Sequence, residues 1–263
     1  MNILEKIAAV KRDEVISRKI TDPVSTLEKS AFFNKKVPSF YEALAKPVPS
    51  VIGEFKRKSP SRGDINPGAN IPDVALGYQD AGIAAMSVLT DQEFFGGKNS
   101  DLQEVAALVK IPVLRKDFIV DEYQVVEARS IGAGAILLIA SILTKKEVDT
   151  LSGLALKLGM DILFEIHDLS DLDKMSQNIK IIGVNHRNLR TFDIDTANSD
   201  ELYQHLPEEC LKVAESGFQT SEDVIRLFKK GYDAFLIGER FMRSGDPGKS
   251  ASIFINNLKN LVE

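Results

Sequence analysis

Hydrophobic and polar residues follow two periods along the chain, and the change from one period to the other predicts its elements. From residue 51 onward, short runs rich in Val, Ile, Leu and Ala alternate with segments whose apolar residues recur every three or four positions. The short runs predict strands at 51–56, 84–90, 113–116, 135–140, 162–167, 181–185, 211–215 and 234–237. The longer segments predict helices at 71–81, 100–109, 122–131, 144–158, 168–177, 221–230 and 249–261.

Strands that alternate with helices form parallel sheets through right-handed crossovers. Eight such units favour a closed (β/α)8 TIM barrel over an open doubly wound sheet. No Gly-x-Gly-x-x-Gly follows the first predicted strand, which weighs against the dinucleotide-binding alternative. Before the repeat, residues 2–19 predict an amphipathic helix whose apolar stripe contains Ile3, Leu4, Ile7, Val10, Val15 and Ile16. We expect one α/β domain over residues 1–263, with 1–50 as an N-terminal helical extension and 51–263 as the barrel.

Composition narrows the class of protein without identifying it. Hydrophobic residues make up 44% of the chain and charged residues 27%, with a net charge of -5, which is typical of a soluble protein and favours neither nucleic acid nor an anionic membrane. Because the sequence has no signal core and no apolar run of membrane-spanning length, we expect a cytoplasmic protein without membrane contact. A single cysteine, Cys210, excludes an internal disulfide, and with three histidines it argues against zinc. We expect no metal.

Polar residues interrupt the ends of five predicted strands, always with the same parity. Alternate residues of a strand share one face. The residues on the polar faces are Glu54, Lys56, Lys116, Glu165, Asn185, Arg187 and Glu215. The opposite faces are apolar and fit outward packing on helices, so the polar faces are expected to point into the lumen, where barrels carry their chemistry. Glu54 and Lys56 alone would also fit a structural ion pair, but agreement across five strands favours an active site.

Glycines after the last two predicted strands suggest an anion-binding site. Gly217 and Gly238 occupy the places where barrels form a phosphate cradle from loop amides. Lys56 lies nearby at the end of the first strand, and the loop after it adds Lys58, Ser59 and Arg62. We therefore expect a small phosphorylated substrate.

Several segments resemble the indole-3-glycerol phosphate synthase family. They are IGEFKRKSPSRG at 52–63, SVLTD at 87–91, FFGG at 94–97, LRKDF at 114–118, LFEIH at 163–167, GVNHRNL at 183–189, AESG at 214–217 and LIGE at 236–239. They run in family order across nearly the whole barrel, and the helical extension is also a family feature. Two features depart from the family pattern. His186 stands where the family usually has a second asparagine, and Glu239 with Arg240 forms a charged pair beside the expected phosphate loop.

The resemblance implies ring closure of 1-(2-carboxyphenylamino)-1-deoxyribulose 5-phosphate, with loss of CO2 and water, to indole-3-glycerol phosphate in tryptophan biosynthesis. No cofactor is implied. By resemblance, Lys116 is the general acid and Glu165 the general base, shared with Glu54, while Lys56 is an anchor and a candidate source of the second proton. The residues implied for binding the substrate are Asn185, Arg187, Glu215, Ser216, Phe95 and Phe118. Those implied near the phosphate are Lys56, Ser59, Gly217, Gly238 and Glu239.

Two alternatives stay open at this point. One is another phosphate-binding barrel isomerase, such as phosphoribosylanthranilate isomerase; the other is a catalytically silent barrel that serves as a subunit of a pathway complex. The charged lumen residues argue against both alternatives. For the silent barrel, the reason is that it would gain stability by replacing these residues with apolar ones. We expect a monomer, and association with other tryptophan-pathway enzymes stays open.

Overall fold

The computed structural model describes residues 3–186 and 202–262, and eight parallel strands in them close into a barrel. The strands, β1 to β8, span Ser50–Phe55, Ala85–Leu89, Val113–Lys116, Ala135–Ile139, Asp161–Ile166, Ile181–Asn185, Leu211–Glu215 and Ala234–Ile237. Each strand pairs in parallel with the next, and β1 closes on β8 with Ser50 opposite Ala234. The predicted (β/α)8 barrel is therefore confirmed.

Helices surround the barrel close to their predicted positions. They are α1 Ile3–Thr21, α2 Val24–Leu27, α3 Phe40–Leu44, α4 Ile71–Ala81, α5 Asn99–Leu108, α6 Glu122–Ser130, α7 Lys145–Lys157, α8 Ser221–Phe228, α9 Glu239–Met242 and α10 Pro247–Val262. No helix in the described ranges is long and apolar enough to cross a membrane.

One predicted helix takes a different form. Residues 168–177 were expected to be an α-helix, but they contain only the 3-10 helix Leu169–Lys174. The side chain of Asp168 accepts the amide of Ser170 and starts a tight turn, while Met175 is already extended. Short 3-10 turns are common as such connectors.

Apolar side chains fill two layers, one on each side of the strands. Outward-facing residues such as Val51 and Phe164 pack against the helices. Inward-facing residues such as Ile52, Leu114 and Leu163 fill the lumen. Burial of each such side chain contributes about 1.5–3 kcal/mol relative to exposure. The lower lumen is therefore apolar, and the charged site residues lie at the C-terminal ends of the strands.

The N-terminal extension contacts both ends of the barrel. At the C-terminal mouth, Leu4 and Ile7 of α1 join the apolar cluster of the lumen. At the opposite end, Phe40 of α3 joins the same cluster, and the amide of Tyr41 donates to Asp161 at the start of β5 over 2.9 Å. The extension therefore lines the C-terminal end of the barrel and also covers the opposite end of the lumen.

The apolar stripe predicted for α1 is partly wrong. Ile16 was placed on it, but this residue is 60% exposed, whereas Lys11 is 1% exposed. The buried face follows Leu4, Ile7, Lys11 and Val15, which are three or four positions apart. A residue next to Val15 points about 100° away from it on a helix, so Ile16 faces solvent. A lysine therefore occupies the middle of the apolar face.

Candidate active site

A cavity opens at the C-terminal ends of the strands, between α1 and the loop that follows β1. The predicted site residues that line it are Glu54, Lys56, Ser59, Phe95, Lys116, Phe118, Glu165, Asn185, Glu215, Ser216, Gly217, Gly238 and Glu239. Arg187 lies outside the described residues. Every other predicted residue thus lines one cavity, and shared strand parity explains this only for the residues in or next to the strand ends.

Lys116, at the end of β3, lies between two carboxylates. Its Nζ is 3.0 Å from Oε2 of Glu165, at the end of β5, and 2.7 Å from Oε2 of Glu215, at the end of β7. Glu54 of β1 is not one of its ion-pair partners among the described residues, because Glu54 pairs with Lys56. Glu215, which was expected only to bind substrate, is therefore a direct partner of the lysine.

The three groups shift one another's proton affinity. Burial alone would lower the pKa of Lys116, but the charges of Glu165, Glu215 and Glu54 raise it above its usual value. Burial raises the pKa of Glu215 to about 8, with repulsion from Glu165 and Glu54 adding to it and Lys116 opposing it. Of its two carboxyl partners, Glu215 therefore takes up a proton more readily than Glu165 near neutral pH, while Lys116 stays charged.

Glu165 is the ionised member because its neighbours favour its charge. Burial by itself would raise its pKa, but Lys116 and His167 together with a hydrogen bond from Asn185 lower it overall. Nε2 of His167 is 3.5 Å from Oε1 of Glu165. Asn185 is thus placed to orient the carboxylate of Glu165.

Glu215 keeps one oxygen available. Among the residues that the structure describes, its Oε1 has no hydrogen-bond partner although it is buried. The Cα of Gly183 lies so close that a Cβ at this position would collide with Oε1. Glycine at position 183 therefore leaves room for a carboxyl group that points into the lumen.

The end of β1 carries the second lysine of the site. Nζ of Lys56 lies 2.5 Å from Oε1 of Glu54, and both side chains are largely buried. Gly238, after β8, packs against Glu54, where a Cβ would approach the Glu54 side chain. Lys56 and Gly238 thus lie on the same side of the cavity. Lys58 points elsewhere and donates to the carbonyl of Glu93.

The loop after β7 has an unusual backbone. Ser216 has a φ of 74° and Gly217 a φ of 90°, both in the left-handed region, which is rare for serine. Nδ1 of His186 lies 3.0 Å from the carbonyl oxygen of Ser216, and its ring packs on Phe218. His186 therefore stays outside the lumen and contacts the loop from behind.

Glu239 brings a carboxylate to the expected phosphate end, and two arginines face it. Oε1 of Glu239 lies 3.4 Å from Nε of Arg62, on the loop after β1, and 3.1 Å from Arg243. Arg240, which also lines the cavity, donates to the carbonyl of Gln219. The negative charge of Glu239 is therefore compensated by neighbouring cations.

Apolar side chains form the opposite side of the cavity. Phe95 lines it, and its ring centroid lies 6.0 Å from that of Phe118. The residues that the sequence did not single out for this wall include Ile3, Leu4 and Ile7 of α1. Their periodicity predicted an apolar face, but periodicity does not identify the surface that the face covers.

Fold and site together define a class: a (β/α)8-barrel enzyme with acid–base groups at the mouth, an apolar wall and a facing set of cations. The family model described as indole-3-glycerol phosphate synthase matches residues 4–253. The chain belongs to the indole-3-glycerol phosphate synthase family.

Individual relatives agree with this assignment. An indole-3-glycerol phosphate synthase from Bacteroides thetaiotaomicron is 40% identical over 258 residues, covering 98% of this chain and 99% of the relative. One from Polaromonas naphthalenivorans is 41% identical over 252 residues, covering 94% and 96%.

Solved structures of more distant proteins share the barrel. KGPDC from Streptococcus mutans superposes with a TM-score of 0.61 at 12% identity, covering 82% of this chain and 100% of that chain. A tryptophan synthase complex from Pyrococcus furiosus gives a TM-score of 0.59 at 14% identity, covering 80% and 98%. At such low identity these likenesses show the fold alone.

Proposed function

We propose that this chain converts 1-(2-carboxyphenylamino)-1-deoxyribulose 5-phosphate to indole-3-glycerol phosphate, CO2 and water, with Lys116 as the acid for ring closure. The observation that carries the proposal is the ammonium of Lys116, held between Glu165 and Glu215 at the cavity. An aromatic wall on one side and cationic residues on the other match a substrate with an aromatic ring at one end and a phosphate at the other.

Ring closure needs a proton at the position that Lys116 supplies. The ring carbon that bears the carboxylate attacks the ketone carbon, and the carbonyl oxygen takes up a proton as the carbon–carbon bond forms. The developing alkoxide is more basic than an amine, so transfer from the ammonium is favourable. Loss of CO2 then returns an electron pair to the ring. The raised pKa of Lys116 keeps it charged for this step.

Dehydration needs an acid and a base. The hydroxyl group leaves as water after it receives a proton, for which Lys56 is the proposed donor, and a base removes the remaining proton to complete the indole. Glu165 is the proposed base because its neighbours keep it ionised. Glu54 is proposed to assist through its ion pair with Lys56. Protonated Glu215 is proposed to bind a substrate oxygen together with Asn185.

We propose that the phosphate binds beside the loops after β7 and β8. Amides at Gly217 and Gly238 and the side chains of Lys56 and Ser59 all line this part of the cavity. Arg62 is also available if it turns from Glu239, because its side chain is 48% exposed. Lys56→Met is expected to weaken binding of phosphate-bearing ligands as well as turnover.

The activity test follows indole absorbance and CO2 release from the carboxyphenylamino substrate. Lys116→Met is expected to reduce turnover to background and to change substrate affinity by less than about tenfold, since general acids contribute roughly 10²–10⁴ in rate. Lys212→Met is the matched control, because Lys212 is also buried in a barrel strand but donates to the carbonyl of Cys210, away from the cavity. Retained turnover in Lys116→Met contradicts its role, and no turnover in the folded wild type contradicts the function.

The domain organisation, oligomeric state and cellular location of the enzyme are also proposals. We propose one cooperative domain, with extension and barrel unfolding together, that acts as a cytoplasmic monomer. The apolar contacts of Leu4 and Phe40 with the lumen support a joint unit, and the free Cys210 fits a reducing compartment. One calorimetric transition and a monomeric mass in sedimentation are expected. Association with other tryptophan-pathway enzymes would appear as a larger species in their presence.

A further inference from the structure

Lys11 of helix α1 is buried where the ends of β2 and β3 meet the N-terminal extension. Its side chain is 1% exposed, and Nζ lies 2.9 Å from Asp91, 3.1 Å from Asp117 and 2.8 Å from Glu14. Asp91 and Asp117 are almost completely buried as well. Burial of two carboxylates is costly unless a cation compensates them. Lys11 is the cation that both share.

Asp91 holds the loop that carries the aromatic wall. Its Oδ1 accepts the amide of Phe94 over 2.8 Å and that of Phe95 over 3.2 Å, while its Oδ2 pairs with Lys11. Its main-chain carbonyl accepts the amide of Gly97. The loop from 91 to 97 is thus folded around one aspartate, and Phe95 from this loop lines the cavity.

Asp117 does the same for the second aromatic residue. Its Oδ1 accepts the amide of Phe118 over 2.8 Å and also pairs with Lys11. Its Oδ2 accepts from Thr90 and Arg115. The rings of Phe95 and Phe118 are tilted neighbours. Two loops that carry the two rings are therefore tied to one ammonium.

We propose that Lys11 is a positioning residue for the aromatic half of the substrate site: by bridging Asp91 and Asp117 it sets the spacing between Phe95 and Phe118. This inference rests on the proposed function only in taking the cavity as the place where the aromatic ring binds. The acid–base cluster makes no contact with Lys11 among the ion pairs of the described residues. The effect of its loss should therefore fall on binding of the ring.

The test compares Lys11→Met with the wild type in binding and in kinetics. Anthranilate and inorganic phosphate are the probes, and each dissociation constant is measured by calorimetry. For Lys11→Met the anthranilate constant is expected to rise about tenfold while the phosphate constant stays within twofold. With the carboxyphenylamino substrate, KM is expected to rise about tenfold and kcat to stay within about threefold. Lys19→Met is the control, because Lys19 lies on the same helix in an exposed pair with Asp121.

A second variant separates charge from loop geometry. In Lys11→Met/Asp91→Asn the amide oxygen of residue 91 can still accept the amides of Phe94 and Phe95, without an uncompensated charge. We expect it to recover at least half of the lost anthranilate affinity, and it carries the same expectation if Lys11→Met alone does not fold. The proposal is overturned if both variants bind anthranilate like the wild type, or if phosphate binding and kcat fall together with anthranilate binding. Because both probes bind without turnover, failure of the proposed reaction would leave this test intact.

Discussion

Lys116 at the barrel mouth and Lys11 on the buried face of helix α1 each lie within ion-pair distance of two buried carboxyl groups that belong to different loops or strands. Around Lys11 every carboxylate oxygen of Asp91 and Asp117 has a hydrogen-bond donor or an ammonium group within ion-pair distance, although Nζ of Lys11 itself has no contact with hydrogen-bond geometry among the described residues. Around Lys116, Oε1 of Glu215 has no hydrogen-bond donor among the described residues, and the lysine keeps 13% of its side-chain surface exposed to the cavity. The two clusters therefore contain the same types of residue but differ in whether every carboxylate oxygen has a hydrogen-bond or ion-pair partner. We call the Lys11 cluster saturated in this sense.

The difference shows how a structural ion network and a reactive one can be distinguished. Lys11 and Asp117 stabilise each other's charge: burial opposes it, yet the pKa of Lys11 is raised and that of Asp117 is lowered. The cluster at the mouth has one carboxyl group more than its cation can satisfy, and burial together with repulsion from Glu165 and Glu54 raises the pKa of Glu215 to about 8. A group that titrates near neutral pH can exchange protons during a reaction, whereas a saturated one cannot.

The largest expected effect breaks the reactive cluster. Glu165→Gln should lower kcat by about 10³, within the range for loss of a general base, or about 4 kcal/mol in activation free energy. The free energy of unfolding should change by less than about 1 kcal/mol, because Glu215 can ionise and keep Lys116 paired. Glu208→Gln, on the exposed loop before β7, serves as the control. Unchanged turnover, or a large loss of stability, would contradict the distinction between the clusters.

A substitution in the saturated cluster around Lys11 should instead lower the free energy of unfolding. Arg115 is completely buried and bridges Asp117 and Glu127. Arg115→Met leaves both carboxylates without this partner, and we expect a loss of about 3–5 kcal/mol in unfolding free energy by urea denaturation. Arg226→Met, on the exposed face of α8, should stay within about 0.5 kcal/mol. A loss below about 1 kcal/mol for Arg115→Met would mean that the carboxylates of this network do not depend on Arg115 to compensate their charge.

Glu215→Gln tests the raised pKa of the Glu215 carboxyl group through the pH dependence of the free energy of unfolding. The pKa of Glu215 is raised from 4.5 to about 8 on folding, so the folded protein binds an additional proton between these values. Wild-type stability is therefore favoured below pH 4.5 and lost as pH rises toward 8. The variant lacks this loss, and its unfolding free energy relative to the wild type should increase over the same range by about 5 kcal/mol, because each unit of pKa shift corresponds to about 1.4 kcal/mol. A flat difference would show that Glu215 is ionised.

Much of the site was predictable because strand parity is a local property. Glu165 and Glu215 alternate with apolar residues in strands whose outward faces must pack on helices, so their direction follows from the sequence. Their pairing does not follow. Lys116 contacts β5 and β7 rather than β1 because the closed barrel sets which rim positions face one another, and this depends on strand register and side-chain reach.

Lys11 shows where pattern reading fails. Its spacing from Ile7 and Val15 places it on the buried face, and that spacing was available in the sequence. A lysine in this position is usually assigned to solvent, because its partners, Asp91 and Asp117, are distant in sequence. The signal was a charge in the middle of an apolar stripe, and only the tertiary structure identified what it compensates.

The smallest expected effect concerns the loop that connects the two clusters. The Lys11 cluster holds this loop in place, and the loop borders the cavity that contains the Lys116 cluster. Phe94 and Phe95 donate their amides to the same oxygen of Asp91, yet only Phe95 of the pair lines the cavity. Phe95→Leu should raise KM about fivefold, corresponding to about 1 kcal/mol of lost aromatic contact, with kcat nearly unchanged. Phe94→Leu is a matched neighbour and should stay within twofold in steady-state assays. Equal effects of the two substitutions would mean that the loop acts only as a support, and that the ring of Phe95 does not itself contact the substrate.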